Sequence, residues 1–412
     1  MAQEDNNLCW NNLPSIILQE IFSYLPYNCR LRASQVIFNF FFPQGRLNSD
    51  QHSGYLASKF ELSVQEVTII CDMSNYCAKE TLALLKKLRY NRQLRKLFLE
   101  PINSTFECED GTKCTKALVS SLINIIKKSN RLEALSLGCI EDLIGSVRQI
   151  VVHLRNYQAM HLTTLGLASV KDDPDDFNIF NAGYGHLFDA FARLSILTLD
   201  YEFLSNALLK ALDSGTMERL VIHVHGWHYQ FSGTADGSCP KCELRLNLIH
   251  SYVGIEKLDT NILRPSMPLT HLKVLFCENV NIRALHRLSR WYSLTLKSLI
   301  WIDSVRRIIL LLVAWKCTKL VEIVFLGHKY HQENLLAIAR LRGNSLKSLV
   351  FAQRFIASDI ESWHKAETIT HVKILGSQWK PLSDEDLPAV VKNPFEGDSR
   401  EVIMPLVLQD QK

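Results

Sequence analysis

The residue types best suited to chemistry are concentrated in one segment, HVHGWHYQFSGTADGSCPKC, at positions 223–242. Imidazole nitrogens and thiolate sulfurs are the usual ligands of tetrahedral zinc, and a Cys-x-x-Cys pair near histidines can supply them. The candidate zinc ligands are His223, His225, His228, Cys239 and Cys242. The alternative is that His223 and His225, two residues apart, share one face of a strand while the cysteines belong to an ordinary inserted loop. The sequence alone leaves both interpretations open.

The rest of the sequence contains no recognisable catalytic motif. The phosphate-binding G-x-x-x-x-G-K-[ST], the nucleotide-binding G-x-G-x-x-G, the nucleophile elbow G-x-S-x-G and the metalloprotease H-E-x-x-H are all missing. None of the 11 cysteines stands out by a neighbouring base or an electropositive setting. The acidic residues at 172–176 lack the spacing and the glycine of a calcium loop. The sequence therefore predicts a non-catalytic protein without a cofactor.

Composition narrows the class of partner and the compartment. The chain has 412 residues, 47% of them hydrophobic and 21% charged, which excludes a disordered protein. Lys and Arg number 46 against 42 Asp and Glu, an excess too small and too dispersed for nucleic acid as the main partner. No apolar run approaches the roughly 20 residues of a bilayer span, and the opening MAQEDNN is unlike a secretory signal. Because the cysteines are also dispersed, we expect reduced thiols and a cytoplasmic or nuclear protein that binds no membrane.

One short pattern, apolar-x-x-apolar-x-apolar, recurs along most of the chain. Copies begin at Leu94, Leu132, Leu162, Leu194, Met217, Leu269, Leu296, Leu320, Leu346 and Ile369, with a weaker copy at Ile255. Most intervals lie near the roughly 20–29 residues of leucine-rich repeats, with longer ones leaving room for insertions. The interval from Ile255 to Leu269 is too short for a repeat, so one of these two copies is misread.

The spacing predicts a strand followed by a helix in each repeat. Alternating residues such as Leu135 and Leu137 lie on one face of a strand, and amphipathic stretches such as TKALVSSLINIIKKSNR separate the copies. A single unit cannot cover its own apolar face, whereas stacked units form one continuous core. We therefore predict an α/β fold: an irregular leucine-rich-repeat solenoid with a curved parallel sheet and outer helices.

The segment before the repeats predicts a small helical unit. Pro14 suits the first turn of a helix, apolar residues then recur on one face, and Pro26 ends the helix. A second short helix is predicted to contain Ala33 and Val36. About 24 residues are too few for an independent core, so the apolar stripe requires a partner surface.

This segment resembles the F-box family. The matching residues are Leu13, Pro14, Leu18, Ile21, Phe22, Leu25, Arg32, Ala33 and Val36. Together with the downstream repeats, the resemblance implies a substrate receptor of SCF-type cullin–RING ubiquitin ligases, with a protein substrate of unknown identity held by the repeat domain. It also implies that the F-box helices dock on the SKP-family linker protein of the ligase core. The expected linker-protein contacts are the matching residues together with Ile17.

The sequence departs from the family pattern after Val36. The family continues with Cys-Arg and a tryptophan in a third helix, whereas this chain reads IFNFFFPQG and has no further tryptophan before Trp227. We predict an F-box with an atypical third helix at 9–42, a linker at 43–62, repeats at 63–376 and an acidic, proline-containing tail at 377–412, which could cover the last repeat. The alternative is a leucine-rich-repeat scaffold whose degenerate F-box does not join a ligase.

Within the repeats, the strand positions between the apolar residues are predicted to face the open, concave side of the solenoid. The concave side is the usual binding surface of such repeats. The candidate substrate contacts are therefore Phe98, Ser136, Thr198, Val221, Lys273, Ile300, Val324 and Val350.

Overall fold

The recurring leucine-containing segments form strands that lie side by side in one parallel sheet. The computed structural model describes residues 38–42, 62–105, 111–171, 185–212, 216–225, 242–250, 263–277, 282–307, 311–357 and 380–411, apart from positions 72, 266, 344 and 394. The predicted F-box helices and all their candidate linker-protein contacts lie outside these residues.

The strands follow one another across the sheet in chain order. They are β1 (Phe38–Phe42), β2 (Glu66–Cys71), β3 (Lys96–Pro101), β4 (Ala134–Ser136), β5 (Thr164–Gly166), β6 (Ile196–Asp200), β7 (Arg219–His225), β8 (Glu243–Ile249), β9 (Leu269–Leu275), β10 (Ser298–Arg307), β11 (Glu322–His331), β12 (Ser348–Ala352), β13 (Ile356–Ala357) and β14 (Lys380–Leu382). Strands β1 to β12 and then β14 are successive neighbours, and β13 pairs with the end of β11. Every pairing is parallel, as expected when each connection crosses over the same face.

Helices fill many of the crossovers. They are α1 (Asn75–Leu88), α2 (Gly111–Lys128), α3 (Val147–Gln158), α4 (Asn206–Leu212), α5 (Ile282–Trp291), α6 (Leu311–Lys316), α7 (Gln332–Arg342), α8 (Ala389–Lys392) and α9 (Arg400–Leu408). The predicted stripe of α2 is buried, with Leu118, Leu122, Ile125 and Ile126 inside. Neighbouring helices pack on one another, α1 on α2, α2 on α3 and α6 on α7. The buried apolar residues form one continuous core between helices and sheet, and the predicted solenoid fold is confirmed.

Polar bridges connect successive repeats within this core. The side chain of Gln158, buried at the end of α3, donates to the carbonyls of Ile126 (2.8 Å) and Ser129 (2.7 Å). Its carbonyl oxygen accepts a hydrogen bond from the amide of Leu132 at 2.9 Å. One side chain thus satisfies three backbone groups where the preceding helix ends and the next strand begins, groups that would otherwise be buried without partners.

The structure shows which of the two closely spaced copies, at Ile255 and Leu269, forms a strand. Strand β8, with Leu244, Leu246 and Leu248 buried on one face, lies between β7 and β9. Strand β8 does not fit the apolar-x-x-apolar-x-apolar pattern, because its leucines alternate strictly and lack the leading apolar-x-x step. The copy at Leu269 is β9, whereas the weaker copy at Ile255 lies outside the described residues.

Both ends of the sheet differ from the prediction. Residues 38–42, assigned to the end of the F-box, form β1 and pair with β2 from Phe38 opposite Val67 to Phe42 opposite Cys71. The run of phenylalanines suits a strand, since aromatic residues favour extended backbone. At the other end β14, assigned to the tail, pairs with β12 and extends the sheet.

Within the described residues, none of the helices has both the length and the apolar character needed to cross a membrane.

Candidate functional site on the inner face of the sheet

The two faces of the sheet carry different residues. Alternate strand residues such as Leu197 and Leu199 join the apolar core shared with the helices. The residues between them, such as Thr198 and Asp200, point to the opposite side, which we call the inner face. Parallel register places inner-face residues in rows across the strands, and Asp200 lies beside His223 in one such row.

The middle of the inner face is covered by residues 400–411, which we call the inner-face segment. It consists of α9 and a following 3₁₀ turn, Gln409–Gln411. The turn packs on β5 and β6. Ile403, Met404 and Val407 are buried, so the segment is an integral part of the packing. The tail was predicted to cover the last repeat, but its final residues instead reach the central strands.

Asp410 anchors the inner-face segment through three side chains from two neighbouring strands. Its carboxylate accepts hydrogen bonds from Arg245 Nη1 at 2.7 Å and Asn247 Nδ2 at 3.0 Å, on β8. Lys273 Nζ, on β9, lies 2.5 Å from the same carboxylate and also donates to the carbonyl of Leu406 at 2.6 Å. The Asp410 side chain is 1% exposed, so the cluster is shielded from water.

Charge balance favours the ionised form of Asp410. Burial by itself raises the pKa of Asp410, but the Lys273 ammonium and the hydrogen bonds from Lys273, Asn247 and Arg245 outweigh burial and hold that pKa below its usual value. Burial lowers the pKa of Lys273, and Asp410 opposes that shift. A buried carboxylate held by matched cations is strongly favoured over the same carboxylate alone.

Gln411 extends the contact to β4 and to the residues that follow it. Its side chain hydrogen-bonds the hydroxyl of Ser136 and donates to Cys139 Sγ at 2.7 Å. Gly166, the partner of Ser136 on β5, leaves the space for this side chain, because a Cβ there would lie 2.7 Å from Gln411 Oε1. The absence of a side chain at Gly166 therefore allows the inner-face segment to approach the sheet at this position.

A second polar cluster lies on the same face at the ends of β6 and β7. Asp200, His223 and His225 each offer one ligand atom, and these atoms all lie within 4.8 Å of one another. All three side chains are buried. Asp200 Oδ1 accepts from the amide of Ser169 at 2.8 Å and Oδ2 from its hydroxyl at 2.6 Å. The carbonyl of Ser169 also faces His223 Nδ1 at 2.9 Å.

The ionisation of this cluster follows from burial and one neighbouring cation. Burial by itself raises the pKa of Asp200, but the contact with His225 and the charge of Lys171 lower it to about 2. Burial lowers the pKa of His223 to about 4, although the negative charge of Asp200 acts to raise it. Lys171 Nζ lies 4.0 Å from Asp200 and 2.8 Å from Glu202. At neutral pH the cluster therefore holds a carboxylate and a neutral His223.

The predicted zinc ligands separate in the structure. His223 and His225 share the inner face of β7, as the strand interpretation expected, and they lie beside Asp200. Cys242 is 7% exposed and belongs to the apolar core, away from this cluster. His228 and Cys239 lie outside the described residues, so the complete predicted set stays a prediction.

The candidate substrate contacts divide into two groups. Phe98, Val324 and Val350 are partly exposed. Ser136, Thr198, Val221, Lys273 and Ile300 are buried. The expectation of an open surface is therefore wrong at these five positions. Ser136 and Lys273 are in contact with Gln411 and Asp410 of the inner-face segment. The role of the candidate contacts in holding a substrate stays a prediction.

Sequence reasoning missed the residues that organise the site. Asp200 could have been found by aligning the pattern copy LSILTLD with MERLVIHVH, which sets it beside the histidines. Arg245 and Asn247 were missed together with β8. No local signal marks Asp410, because its partners lie far away along the chain.

Comparison with known proteins identifies the N-terminal segment. Residues 10–36 match the family model of the F-box domain. The chain thus combines a segment similar to the F-box domain with a parallel-sheet solenoid. Over 102 residues it is 35% identical to F-box only protein 33 of Homo sapiens and 33% identical to F-box only protein 33 of Mus musculus. These alignments cover 23% of this chain and 18% of each relative, so the chain matches less than a fifth of the relatives' length.

Solved structures resemble the chain only loosely. The crystal structure of the Rad7 and Elc1 complex in yeast contains a chain with 12% identity and a TM-score of 0.42, covering 85% of this chain and 87% of that chain. An internalin from Listeria monocytogenes has 12% identity and a TM-score of 0.31, covering 90% of this chain and 94% of that chain. The fold assignment therefore depends on the strand order and the pairing described above.

Proposed function

We propose that this protein is the substrate-recognition adaptor of an SCF-type cullin–RING ubiquitin ligase and has no catalytic activity of its own. The F-box match at residues 10–36 is the observation that carries the proposal. The F-box helices would dock on the SKP-family linker protein, and the solenoid would hold the protein to be ubiquitinated. The proposed linker-protein contacts are Leu13, Pro14, Ile17, Leu18, Ile21, Phe22, Leu25, Arg32, Ala33 and Val36.

The connection between F-box and solenoid supports an adaptor role. The F-box match ends at residue 36 and β1 begins at Phe38, so a single residue separates them. Strand β1 is in turn paired along its whole length with β2. A short connection into a paired strand restricts the orientations available to the F-box, whereas a long flexible linker would not. Such restriction suits an adaptor that must present its target at a defined distance.

The inner face is the proposed surface for the target. Phe98 lies towards one end of the sheet, and Val324 and Val350 lie towards the other. All three are partly exposed and offer apolar contact area. A target that contacts the central positions, such as Lys273, would first have to replace the inner-face segment.

Co-expression with an SKP-family linker protein followed by gel filtration tests the adaptor function. The native chain is expected to elute as a 1:1 complex, and the double variant Leu18→Glu/Phe22→Glu is expected to lose it, because two charges would enter an apolar interface. The matched control is Leu294→Glu, which adds a charge at a residue 73% exposed on the solenoid. This control should still co-elute.

A specific observation favours the scaffold alternative. Residues 38–42 form a strand where the F-box family continues into a third helix. If the native chain never co-elutes with the linker protein, the strand has replaced a needed part of the docking surface. The protein would then be a leucine-rich-repeat scaffold that binds partners outside a ligase.

A further inference from the structure

We propose that Asp200, His223 and His225 bind one divalent transition-metal ion, with zinc as the expected occupant. The site lies on the inner face at the ends of β6 and β7 and is independent of the F-box. It differs from the zinc site suggested by the sequence in replacing cysteine ligands with a carboxylate.

Strand register brings the three ligands together. Asp200 and His223 are direct partners across β6 and β7, so both side chains leave the sheet on the same side. His225 is the next residue of β7 on that side. His225 Nε2 lies 3.6 Å from Asp200 Oδ1. This distance is too long for a good hydrogen bond. It is close to the separation of about 3.3 Å between two ligand atoms that bind one tetrahedral zinc ion through bonds of roughly 2.0–2.1 Å.

Ser169 orients two of the three ligands. Its carbonyl faces His223 Nδ1 at 2.9 Å, an arrangement in which Nδ1 carries the proton and donates. The lone pair of His223 is then on Nε2, the atom available to a metal. The amide and hydroxyl of Ser169 hold both oxygens of Asp200. In metal sites, a ligand histidine typically donates its other ring N–H to a backbone carbonyl, and a ligand carboxylate typically accepts hydrogen bonds from neighbouring groups.

The histidine nitrogens facing this space have no hydrogen-bond partner. His223 Nε2 and His225 Nε2 are both buried and unpaired. Leaving a buried polar atom without a partner costs on the order of 1–3 kcal/mol, so two such atoms in one cluster require an explanation. A metal ion bound to both nitrogens satisfies them together.

The donor set selects the class of ion. Two imidazoles and one carboxylate suit zinc and neighbouring transition metals, whereas calcium and magnesium prefer oxygen ligands alone. Three protein ligands leave a fourth tetrahedral position for water or for a group from another molecule. The ion would join β6 to β7 and stabilise the folded chain according to its affinity and concentration.

Lys171 provides an independent way to test the site. Its ammonium lies 4.0 Å from Asp200, and an arriving cation would be repelled by it. Lys171 also contacts Glu202 at 2.8 Å, which offers the ammonium a second acceptor when a metal occupies Asp200. Replacing Lys171 with methionine keeps the length of the side chain and removes its charge. The Lys171→Met variant should therefore bind metal more tightly than the native chain.

Metal titration of the full chain, purified without a histidine tag and stripped with a chelator, tests the proposal. Cobalt(II) is the spectroscopic probe, and zinc is measured by calorimetry and by displacement of cobalt. We expect one ion per chain with the visible absorption of four-coordinate cobalt. His223→Gln/His225→Gln should weaken binding by more than the roughly 10–100-fold that follows loss of an outer contact. His153→Gln, at a partly exposed histidine of α3, should leave binding unchanged.

The outcomes are decisive in both directions. Absence of stoichiometric zinc binding by the folded native chain would overturn the proposal, as would tight binding that survives the double histidine substitution. If the double variant does not fold, Lys171→Met still decides. A higher zinc affinity in this variant supports the site, and an equal or lower affinity refutes it.

Discussion

Removing the charge of Asp410 should release the inner-face segment from the sheet while leaving the solenoid folded. Asp410→Asn keeps the shape of the side chain but leaves its cationic partners facing a neutral group. Arg245 retains Glu243 at 2.5 Å, so it keeps one opposite charge. Lys273, only 8% exposed, loses the carboxylate that lies closest to its ammonium.

The expected magnitude follows from the burial of Lys273. Removing one partner of a buried ion pair typically costs about 3–5 kcal/mol, and the retained Arg245–Glu243 pair puts this case near the lower end. About 3 kcal/mol corresponds to roughly a 100-fold increase in the population of the opened segment. Hydrogen exchange of the peptide that covers residues 400–411 should accelerate by this factor, while exchange in the core strands β3 to β6 should not change.

Two further variants make the Asp410 measurement specific. Asp398→Asn removes a carboxylate that is 37% exposed and pairs with Arg400 at 2.6 Å, and it should cost less than about 1 kcal/mol. Lys273→Met/Asp410→Asn removes the uncompensated ammonium and should recover much of the loss. If Asp410→Asn changes exchange no more than Asp398→Asn does, the inner-face segment is held by its apolar contacts and the reasoning fails.

Three other predictions concern the repeats and the inner face. Gln158→Met keeps the volume of the side chain but leaves three buried backbone groups unpaired, so denaturant titration should show a loss of about 1–3 kcal/mol, and no loss would contradict the bridging role. Burial and the nearby charge of Arg245 together lower the pKa of His271 to about 4. As the pH falls from about 6.5 to about 4, His271 is therefore protonated in the unfolded chain before it is protonated in the folded chain, and the free energy of unfolding declines in that window. His271→Gln should reduce this decline, measured by denaturant titration at several pH values. Gly166→Val should displace the side chain of Gln411 and increase proteolysis at residues 409–411, whereas unchanged cleavage would show that the glycine space is not needed.

Local patterns in the sequence were sufficient for the repeats and the F-box segment. The alternation around Leu135 and the spacing of Leu118, Leu122 and Ile125 report backbone periods directly, so strand β4 and helix α2 could be predicted. The F-box segment is a short motif at 10–36 that is recognisable from its own residues. These features involve residues close together in sequence.

The sites on the inner face were decided by the tertiary structure. Whether a strand residue such as Ser136 is open or covered depends on which distant segment folds over it, and the alternation pattern carries no information about that segment. Asp410 meets Arg245 and Lys273 only after the sheet has assembled. Asp200 joins the two histidines because parallel register sets β6 beside β7. Burial and charge pairing then fix the chemistry of both clusters, since isolated side chains in water would have neither shifted pKa values nor fixed partners.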